Sequence, residues 1–359
     1  MLEVHVKRKL AGFTLDVNFS VNQETLAILG PSGSGKTMTL QCIAGLIRPD
    51  EGYIKINDVV LLDSANKVNL PAKMRKVGFV FQNFALFPHL TVNQNIAYGI
   101  RHLKEKDINS RVSELLEKMN IQVLRDRFPR QLSAGQQQRV AVARALAPEP
   151  ELLLLDEPFS ALDSLVKERL QLELQALQRS YSGNILFVTH DLAEGYKLSS
   201  RIAVFESGHI VQHDQKEKVI TCPANHVVAR LVGFKNLMEG SVTEINKSNA
   251  LIQVPELGNY LRAVIPSNTN LVINQRVTIG IRPEYIHLKD CQGENTFLCT
   301  VDRVVEGVTS ANYYFHVNDV GTTRHYILAL MSRPDSTPIH EGESLYLCLP
   351  PEHVVIITN

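Results

Sequence analysis

The 359-residue sequence contains no tryptophan, carries no net charge and has no long hydrophobic run. Its longest unbroken apolar stretch, Tyr326 to Met331, has six residues, whereas a membrane-spanning helix needs about 20. The 37 basic and 37 acidic side chains balance, which disfavours a mainly electrostatic binder of nucleic acid. Charged side chains interrupt the first twenty residues, so we expect no secretory signal.

Cysteine is also scarce, and its spacing shows no regular pattern. The five cysteines are odd in number, and no two of them form a C-x-x-C pair. Disulfide frameworks and structural zinc sites depend on regular spacings of this kind. We therefore expect reduced thiols in a cytosolic protein.

The length of the chain favours two domains. The pattern of apolar stretches and turn residues changes near residue 235. Compact apolar runs alternate with helical patterns before that point. The apolar runs are Val77–Phe81, Leu152–Leu155 and Ile185–Val188, and the helical patterns include Asp107–Met119 and Leu165–Leu177. Such runs are typical of parallel strands covered on both faces. The pattern predicts a doubly wound α/β domain over residues 1–235.

Residues 236–359 show a different pattern, in which short apolar stretches are separated by Gly, Asn, Pro and Ser clusters. These stretches include Leu251–Val254, Val277–Ile281, Tyr313–Val317 and Tyr326–Leu330. Many short strands divided by turn residues are typical of a small barrel or sandwich. We predict an all-β second domain.

A complete phosphate-binding loop follows the apolar stretch Leu26–Leu29. Its residues are Gly30, Pro31, Ser32, Gly33, Ser34, Gly35, Lys36 and Thr37, which match G-x-x-x-x-G-K-[ST]. Glycines let the backbone N–H groups turn toward phosphate oxygens, and the helical stretch that follows, Met38–Leu46, adds its N-terminal dipole. Lys36 is placed to reach the β- and γ-phosphates, and the Thr37 hydroxyl to ligate Mg²⁺.

Two adjacent acids, Asp156 and Glu157, end the apolar run Leu152–Leu155. Successive side chains diverge at a strand end, so the two carboxylates can serve different purposes. Asp156 is suited to the Mg²⁺ shell, and Glu157 to orienting and deprotonating an attacking water. The alternative is a solvated acidic pair that caps the next helix.

The segment Leu132-Ser133-Ala134-Gly135-Gln136 resembles the signature loop of the ATP-binding cassette (ABC) family, Leu-Ser-Gly-Gly-Gln. The resemblance covers about the first 230 residues. In the family this loop caps the γ-phosphate of ATP held by the other subunit, so it implies that Ser133 and Gly135 complete a partner's site. Ala134 replaces the first glycine, which matters only if that position needs a positive φ or very close approach.

Three further matches to the family follow one another in chain order. Gln82 stands where the Q-loop glutamine senses Mg²⁺ and the attacking water, and Ser160–Asp163 matches the D-loop at the dimer interface. His190 matches the switch histidine, which contacts the γ-phosphate. Phe13 is the candidate for the aromatic that stacks on adenine, and a role in the core of a strand is its alternative.

The resemblance implies a P-loop ATPase fold of the ABC type, with a helical insertion at about 84–150, followed by a small OB/TOBE-like β domain. It also implies ATP and Mg²⁺ as ligands, hydrolysis at a homodimer interface, and integral membrane permease subunits fed by an extracytoplasmic substrate-binding protein. We expect a peripheral protein at the cytoplasmic face of the membrane that binds no nucleic acid. The alternatives are a soluble ABC ATPase that acts on nucleic acid and a regulatory protein that has lost hydrolysis.

Transport is favoured by two segments that resemble importer subunits, Gln82–Val92 and Thr278–Glu284. In the first, the apolar side chains at positions 84, 86, 87 and 90 are candidates for receiving a helix of the permease, and packing into the core is the alternative for some of them. The start of the chain, Ala11–Val21, resembles that of molybdate-importer ATPases. We therefore expect molybdate or tungstate as cargo, with sulfate or thiosulfate, ferric iron, polyamine and sugar as alternatives.

Overall fold

The computed structural model describes residues 1–266, 270–318, 325–332 and 339–358. The chain forms two compact units, Met1–Lys216 and Glu217–Asn359. The boundary predicted after residue 235 falls inside the second unit, whose first strand begins at Asn236. Among the described residues, no helix has both the length and the apolar character needed to span a membrane.

Two sheets form the strand framework of the first unit. The strands are β1 (Leu2–Lys9), β2 (Thr14–Val21), β3 (Thr25–Leu29), β4 (Glu51–Ile56), β5 (Val59–Asp63), β6 (Val68–Asn69), β7 (Val77–Val80), β8 (Leu152–Asp156), β9 (Asn184–Val188), β10 (Arg201–Glu206) and β11 (His209–Gln215). One sheet is antiparallel with the order β2-β1-β4-β5-β6, and the other has the order β11-β10-β3-β9-β8-β7. In the second sheet all neighbours are parallel except β10 and β11.

Burial explains the composition of the central strands. Every residue of β8 and β9 is buried, as expected for parallel strands covered on both faces. The strands predicted from apolar runs are confirmed, with β7 ending at Val80. Because parallel strands end at the same sheet edge, β3, β8 and β9 bring the segments that follow them close together.

The helices of the first unit are α1 (Lys36–Ala44), α2 (Val92–Ala97), α3 (Glu105–Lys118), α4 (Ala134–Leu146), α5 (Ser164–Ser180) and α6 (Leu192–Leu198). Helix α1 begins two residues before the predicted start, because Gly35 takes a left-handed conformation (φ 100°) at its N-cap. It ends before the predicted Leu46, because Gly45 forms a left-handed C-cap (φ 76°) whose N–H bonds back to the last turn.

The second unit is mainly antiparallel β structure. Its elements are α7, which starts at the junction of the units (Lys216–Thr221), α8 (His226–Leu231), β12 (Asn236–Ile245), β13 (Asn249–Val254), β14 (Asn259–Val264), β15 (Arg276–Ile281), β16 (His287–Lys289), β17 (Thr296–Glu306), β18 (Ser310–Val317), β19 (Tyr326–Ser332), β20 (Ser344–Cys348) and β21 (Val355–Ile357). The sheets have the orders β14-β13-β12-β15-β21 and β16-β20-β17-β18-β19. Side chains of both sheets share one apolar core, and the four predicted strands are confirmed.

Candidate nucleotide-binding and hydrolysis site

The phosphate loop, residues 30–37, connects β3 to α1 in a conformation that only glycine tolerates at two positions. Gly30 has a φ of 149° and Gly35 a φ of 100°. A Cβ at Gly30 would overlap the carbonyl oxygen of Phe205, and one at Gly35 would lie 2.6 Å from the Leu15 side chain. The loop is therefore fixed by close packing as well as by its turns.

Lys36, the first residue of α1, is 7% exposed, and its ammonium is held at the loop itself. Its Nζ donates to the carbonyl oxygens of Gly30 and Pro31, at 2.8 and 2.7 Å. Burial lowers the pKa of Lys36, and the nearby carboxylates of Glu157 and Asp156 oppose that shift. In the described part of the chain this buried cation has no carboxylate hydrogen bond, so an anionic phosphate is a strong potential partner for it.

Thr37 and Asp156 meet across the sheet edge. The Thr37 Oγ1 donates to the Asp156 Oδ1 at 2.8 Å, and Asp156 is buried at the end of β8. Burial raises the pKa of Asp156, as does Glu157, while the Thr37 hydrogen bond and Lys36 act against the shift. One hydroxyl and one carboxylate oxygen fit Mg²⁺, which usually takes few protein ligands and keeps several waters.

Glu157 is the point on which the other predicted catalytic residues converge. Gln82 Nε2 donates to Glu157 Oε2 at 3.1 Å. His190 Nδ1 lies 3.8 Å from the same oxygen. The structure thus brings together Gln82, Glu157 and His190, which are far apart in the sequence, around one carboxylate.

The backbone of Glu157 is strained. Its φ is 45°, a left-handed conformation that costs a non-glycine residue about 1–2 kcal/mol. Its N–H donates to the Val188 carbonyl at 3.1 Å, and its own carbonyl accepts the Ser160 hydroxyl at 3.0 Å. These bonds hold the turn after β8, and the strain is a signal that the sequence did not carry.

A cavity of about 570 Å³ opens beside the phosphate loop. Its lining consists of Phe13, Ser32, Gly33, Ser34, Gly35, Lys36, Thr37, Met38, Gln41, Gln82 and Glu157. The buried Ser34 hydroxyl has no hydrogen-bond partner among the described residues. Phe13 lines this cavity and also packs against the core of the first unit, so both roles considered for it are compatible with its position.

The second set of predicted residues, Ser133, Gly135 and Asp163, is absent from that lining. Ser133 caps α4: its Oγ accepts from the Gln136 N–H at 3.4 Å. Asp163 caps α5 through the Val166 N–H at 3.0 Å. Within the chain these side chains stabilise helix starts, and the structure does not bring them to Lys36.

Gly135 and Ala134 differ in what their positions require. A Cβ at Gly135 would lie 2.6 Å from Val166 Cγ1, so α4 and α5 approach closely there. Ala134 is the first residue of α4 and does not have a positive φ. Replacing glycine by alanine at position 134 therefore causes no strain from a positive φ. This removes the first of the two reasons for which a glycine could be required there.

The apolar side chains predicted to receive a permease helix divide into two kinds. Phe84 is buried, at 8% exposure, and its backbone carbonyl accepts from Arg144 at 2.8 Å. Leu86, Phe87 and Leu90 are half-buried. Phe84 is therefore a packing residue of the first unit, which is the alternative that was open for some of these four side chains.

The sequence reasoning missed a partly buried polar cluster beside His190. The Thr189 hydroxyl donates to Glu194, and Lys167 Nζ lies 2.7 Å from Glu194 and 2.8 Å from Asp191. Burial alone would lower the pKa of Lys167, but its hydrogen bonds to Asp191 and Glu194 raise it. The D-x-x-E spacing signalled the cap of α6, yet no local pattern pointed to Lys167.

Arg75 was also missed as a structural residue. It is 2% exposed, and its guanidinium donates to the carbonyls of Cys42, Ile43 and Leu70 at 2.8–2.9 Å. The first two carbonyls belong to the end of α1, where backbone acceptors lack helical partners. A Cβ at Gly45 would collide with this guanidinium, so the glycine makes room for the arginine.

Two known domain families match the chain. The family described as "ABC transporter" matches residues 14–160, and the "TOBE domain" matches residues 279–357. The first match contains the phosphate loop, the signature segment and the acid pair. The second lies within the β unit.

Curated relatives match over most of both chains. One from Nitrosospira multiformis is 38% identical, with 82% of this chain and 80% of the relative covered. One from Rubrobacter xylanophilus is 34% identical, with 98% and 92% covered, and one from Thermotoga maritima is 40% identical, with 81% and 76% covered. Each of these relatives is named spermidine/putrescine import ATP-binding protein PotA.

A solved structure shares the fold of the first unit. It is described as the dimeric, post-hydrolysis state of the ATP-binding cassette MJ0796 bound to ADP and Pi. The TM-score is 0.52 at 31% identity, and the match covers 60% of this chain and 99% of the other.

Proposed function

Since this chain belongs to the ABC transporter family, as the ATP-hydrolysing subunit of an importer, we propose that it powers uptake of a polyamine. The predicted fold class is confirmed, with a P-loop ATPase of the ABC type followed by a TOBE-type β domain. The cargo proposal rests on one observation: the similarity to spermidine/putrescine import subunits extends over 98% of this chain in one relative and thus includes the second unit.

This proposal replaces molybdate or tungstate, which the start of the sequence favoured, by the polyamine alternative. The resemblance to molybdate importers rested on short segments such as Ala11–Val21, whereas the relatives match over hundreds of residues. An ATPase subunit does not handle the cargo, so its residues offer no cargo pocket that could outweigh those matches.

The proposed chemistry is hydrolysis of the γ-phosphate of ATP by water. Lys36 and the N–H groups of the phosphate loop bind the phosphates, and Thr37 and Asp156 would hold Mg²⁺, which would neutralise charge on the phosphate oxygens. Glu157 accepts a proton from the attacking water, because its carboxylate lies at the cavity wall. Gln82 and His190 position that carboxylate and contact the water and the γ-phosphate.

We further propose that two copies of the chain share each ATP. The phosphate loop lines a cavity on one chain, whereas Ser133, Gly135 and Asp163 are outside its lining. A head-to-tail pair would let each copy supply the signature loop to the other's nucleotide. Hydrolysis then removes the γ-phosphate contacts that hold the pair closed.

The proposed setting is the cytoplasmic face of the membrane, under permease subunits that an extracytoplasmic binding protein supplies. The half-buried Leu86, Phe87 and Leu90 form the candidate contact for a permease helix. Phe87 is held by its ring contact with Tyr98, at 4.3 Å between centroids. A fixed apolar side chain loses little entropy on docking.

Measuring the uptake of candidate substrates by cells tests the proposed cargo. We would replace the gene by one encoding Glu157→Gln and measure entry of labelled putrescine, spermidine and molybdate, with Glu149→Gln as an exposed control. Loss of polyamine uptake alone supports the proposal. Loss of molybdate uptake alone would overturn the cargo but keep the importer, and unchanged uptake of all three would contradict both.

A further inference from the structure

The exposed side chain of His190 is carried by a backbone segment whose two neighbouring residues are fixed by hydrogen bonds. The imidazole Nδ1 lies 3.8 Å from Glu157 Oε2. The preceding residue, Thr189, is 2% exposed, and the following residue, Asp191, caps α6. The Asp191 N–H donates to the Thr189 hydroxyl oxygen at 3.0 Å. The position of His190 therefore depends on the two residues that flank it.

One lysine of α5 joins these flanking residues in a closed network. Lys167 Nζ lies 2.8 Å from Asp191 Oδ2 and 2.7 Å from Glu194 Oε1. Glu194 is 5% exposed, and its other carboxylate oxygen accepts from the Thr189 hydroxyl. The bonds thus run from Lys167 through Asp191 and Thr189 to Glu194 and back to Lys167. Because the ammonium and both carboxylates are charged, these hydrogen bonds are among the stronger ones in proteins.

Lys167 also belongs to the first turn of α5. Its N–H donates to the Asp163 carbonyl at 2.9 Å, and the Asp163 side chain caps the same helix. Asp163 belongs to the segment that is proposed to meet a second copy of the chain. A single residue therefore connects the segment at the proposed dimer interface with the segment that carries His190.

A second bond between the same two helices lies further along both of them. Lys197, in the last turn of α6, donates from Nζ to Gln171 Oε1 of α5 at 3.2 Å. This bond attaches α6 to α5 outside the network of Lys167. It therefore supplies a comparison for the effect of helix attachment alone.

We propose that Lys167 is a positioning residue for ATP hydrolysis, which holds His190 near Glu157 and ties it to the start of α5. The proposal rests on the role of His190 in the proposed function. Lys167 itself touches neither water nor phosphate in this scheme. It acts through the backbone on both sides of His190.

Loss of the ammonium would leave Asp191 and Glu194 without the cation that they share. The segment between the two ends of the network would then shift, because a carboxylate as buried as that of Glu194 is costly without its partner. A displacement of about 1 Å at a reacting group can lower a rate about 10²-fold. The phosphate loop is not part of the network, so ATP binding should be retained while hydrolysis slows.

ATP turnover by the purified full chain tests this role through three substitutions. Lys167→Met keeps the length of the side chain and removes its charge, and it should lower kcat about 10–100-fold with little change in KM. Lys167→Arg should recover most of the native kcat, because a guanidinium can bridge both carboxylates. Lys197→Met breaks the other bond between α5 and α6 and should keep the native kcat.

A fourth variant separates the positioning of His190 from a general weakening of the fold. His190→Ala should hydrolyse ATP slowly, and the further change Lys167→Met should cause no additional loss. Single-turnover assays with protein in excess over ATP measure these low rates. A purely structural role of Lys167 would lower the rate by the same factor whether His190 is present or absent.

Thermal unfolding shows whether each variant folds. If Lys167→Met does not fold, Asp191→Asn replaces it in both assays and should likewise lower kcat. The asparagine oxygen can still cap α6, and the charge bound by Lys167 is removed.

The proposal is overturned if folded Lys167→Met keeps the native kcat or if its loss appears in KM instead. It is also overturned if Lys167→Arg or Lys197→Met loses as much turnover, or if the loss persists in the His190→Ala background. Absence of hydrolysis by the native chain, or native turnover by His190→Ala, would instead contradict the proposed function. The two failures are therefore distinguishable.

Discussion

The two groups of residues that the family site requires are organised in opposite ways in this chain. Thr37 and Asp156 bond to each other directly, and Gln82 bonds to Glu157. In contrast, the side chains of Ser133 and Asp163 bond, among the described residues, to the first turns of their own helices. The first group is assembled by folding, and the second group is exposed at helix starts. The difference supports the proposal that the first half-site forms within one chain, whereas the second completes the site of another copy.

The largest effect is expected for Lys36→Ala. Removal of the buried ammonium should lower ATP turnover about 10³-fold, because no other cation of the chain is held at Gly30 and Pro31 in the described residues. Phosphate release and binding of a fluorescent ATP analogue measure it. The exposed Lys73→Ala is the matched control and should behave like the native chain.

Mixing variants sharpens this result. A Lys36→Ala chain and a Ser133→Arg chain are each expected to be inactive, but a mixture can form one intact site from the native halves of both. Partial recovery of turnover on mixing is the expected outcome. No recovery from chains that still associate would argue against a site shared between copies.

Glu157→Gln should separate binding from chemistry. The amide cannot accept a proton from water, so turnover should fall about 10²–10⁴-fold. ATP should remain bound, and light scattering should show a persistent dimer. Full hydrolysis by this variant would exclude Glu157 as the base, and a monomer with ATP bound would contradict the shared site.

A smaller effect is expected where α4 meets α5. Gly135→Ala places a methyl group against Val166 and should destabilise the fold by about 1–3 kcal/mol. Ala134→Gly, one residue earlier, should change stability by no more than about 1 kcal/mol. Thermal unfolding measures both, and Val166→Ala should restore the Gly135→Ala variant. Equal losses at both positions would show that close packing is not the cause.

The smallest effect on stability is expected from the pH dependence that Asp156 introduces. Burial raises the pKa of Asp156, so the folded chain holds this proton at pH values where the unfolded chain has released it. Its contribution to stability therefore falls as pH rises from the ordinary aspartate pKa through the raised value. Asp156→Asn should lack this loss and melt a few degrees higher at neutral pH, while turnover disappears. A lower melting temperature would mean that the ionised carboxylate stabilises the fold.

Local sequence patterns were sufficient for the central parallel strands β3, β7, β8 and β9, for four strands of the second unit and for the phosphate loop. The strands β8 and β9 are buried on both faces, so their composition alone identifies them. The phosphate loop could be recognised because each fixed residue of its motif meets a local structural requirement, such as the positive φ of Gly35. Asp156 and Glu157 follow from their place at a strand end.

Interactions between distant segments could not be predicted in the same way. Gln82 and Glu157 are 75 positions apart, and only the parallel pairing of β7 with β8 brings them together. The left-handed backbone of Glu157 depends on bonds to Val188 and Ser160, not on its residue type. The sequence also could not decide whether Phe84 is core or contact surface, since an apolar side chain in a loop can be either, and the structure buries it.

Arg75 has a consequence for how the two ends of the nucleotide cavity are coupled. Its guanidinium binds the last carbonyls of α1, and the chain continues from it through β7 toward Gln82. Arg75 thus connects the C-terminal end of α1 to β7, the strand that leads to Gln82. Loss of this guanidinium would leave two buried carbonyl oxygens at the end of α1 without their side-chain donor, at the point where the chain turns back toward Gln82.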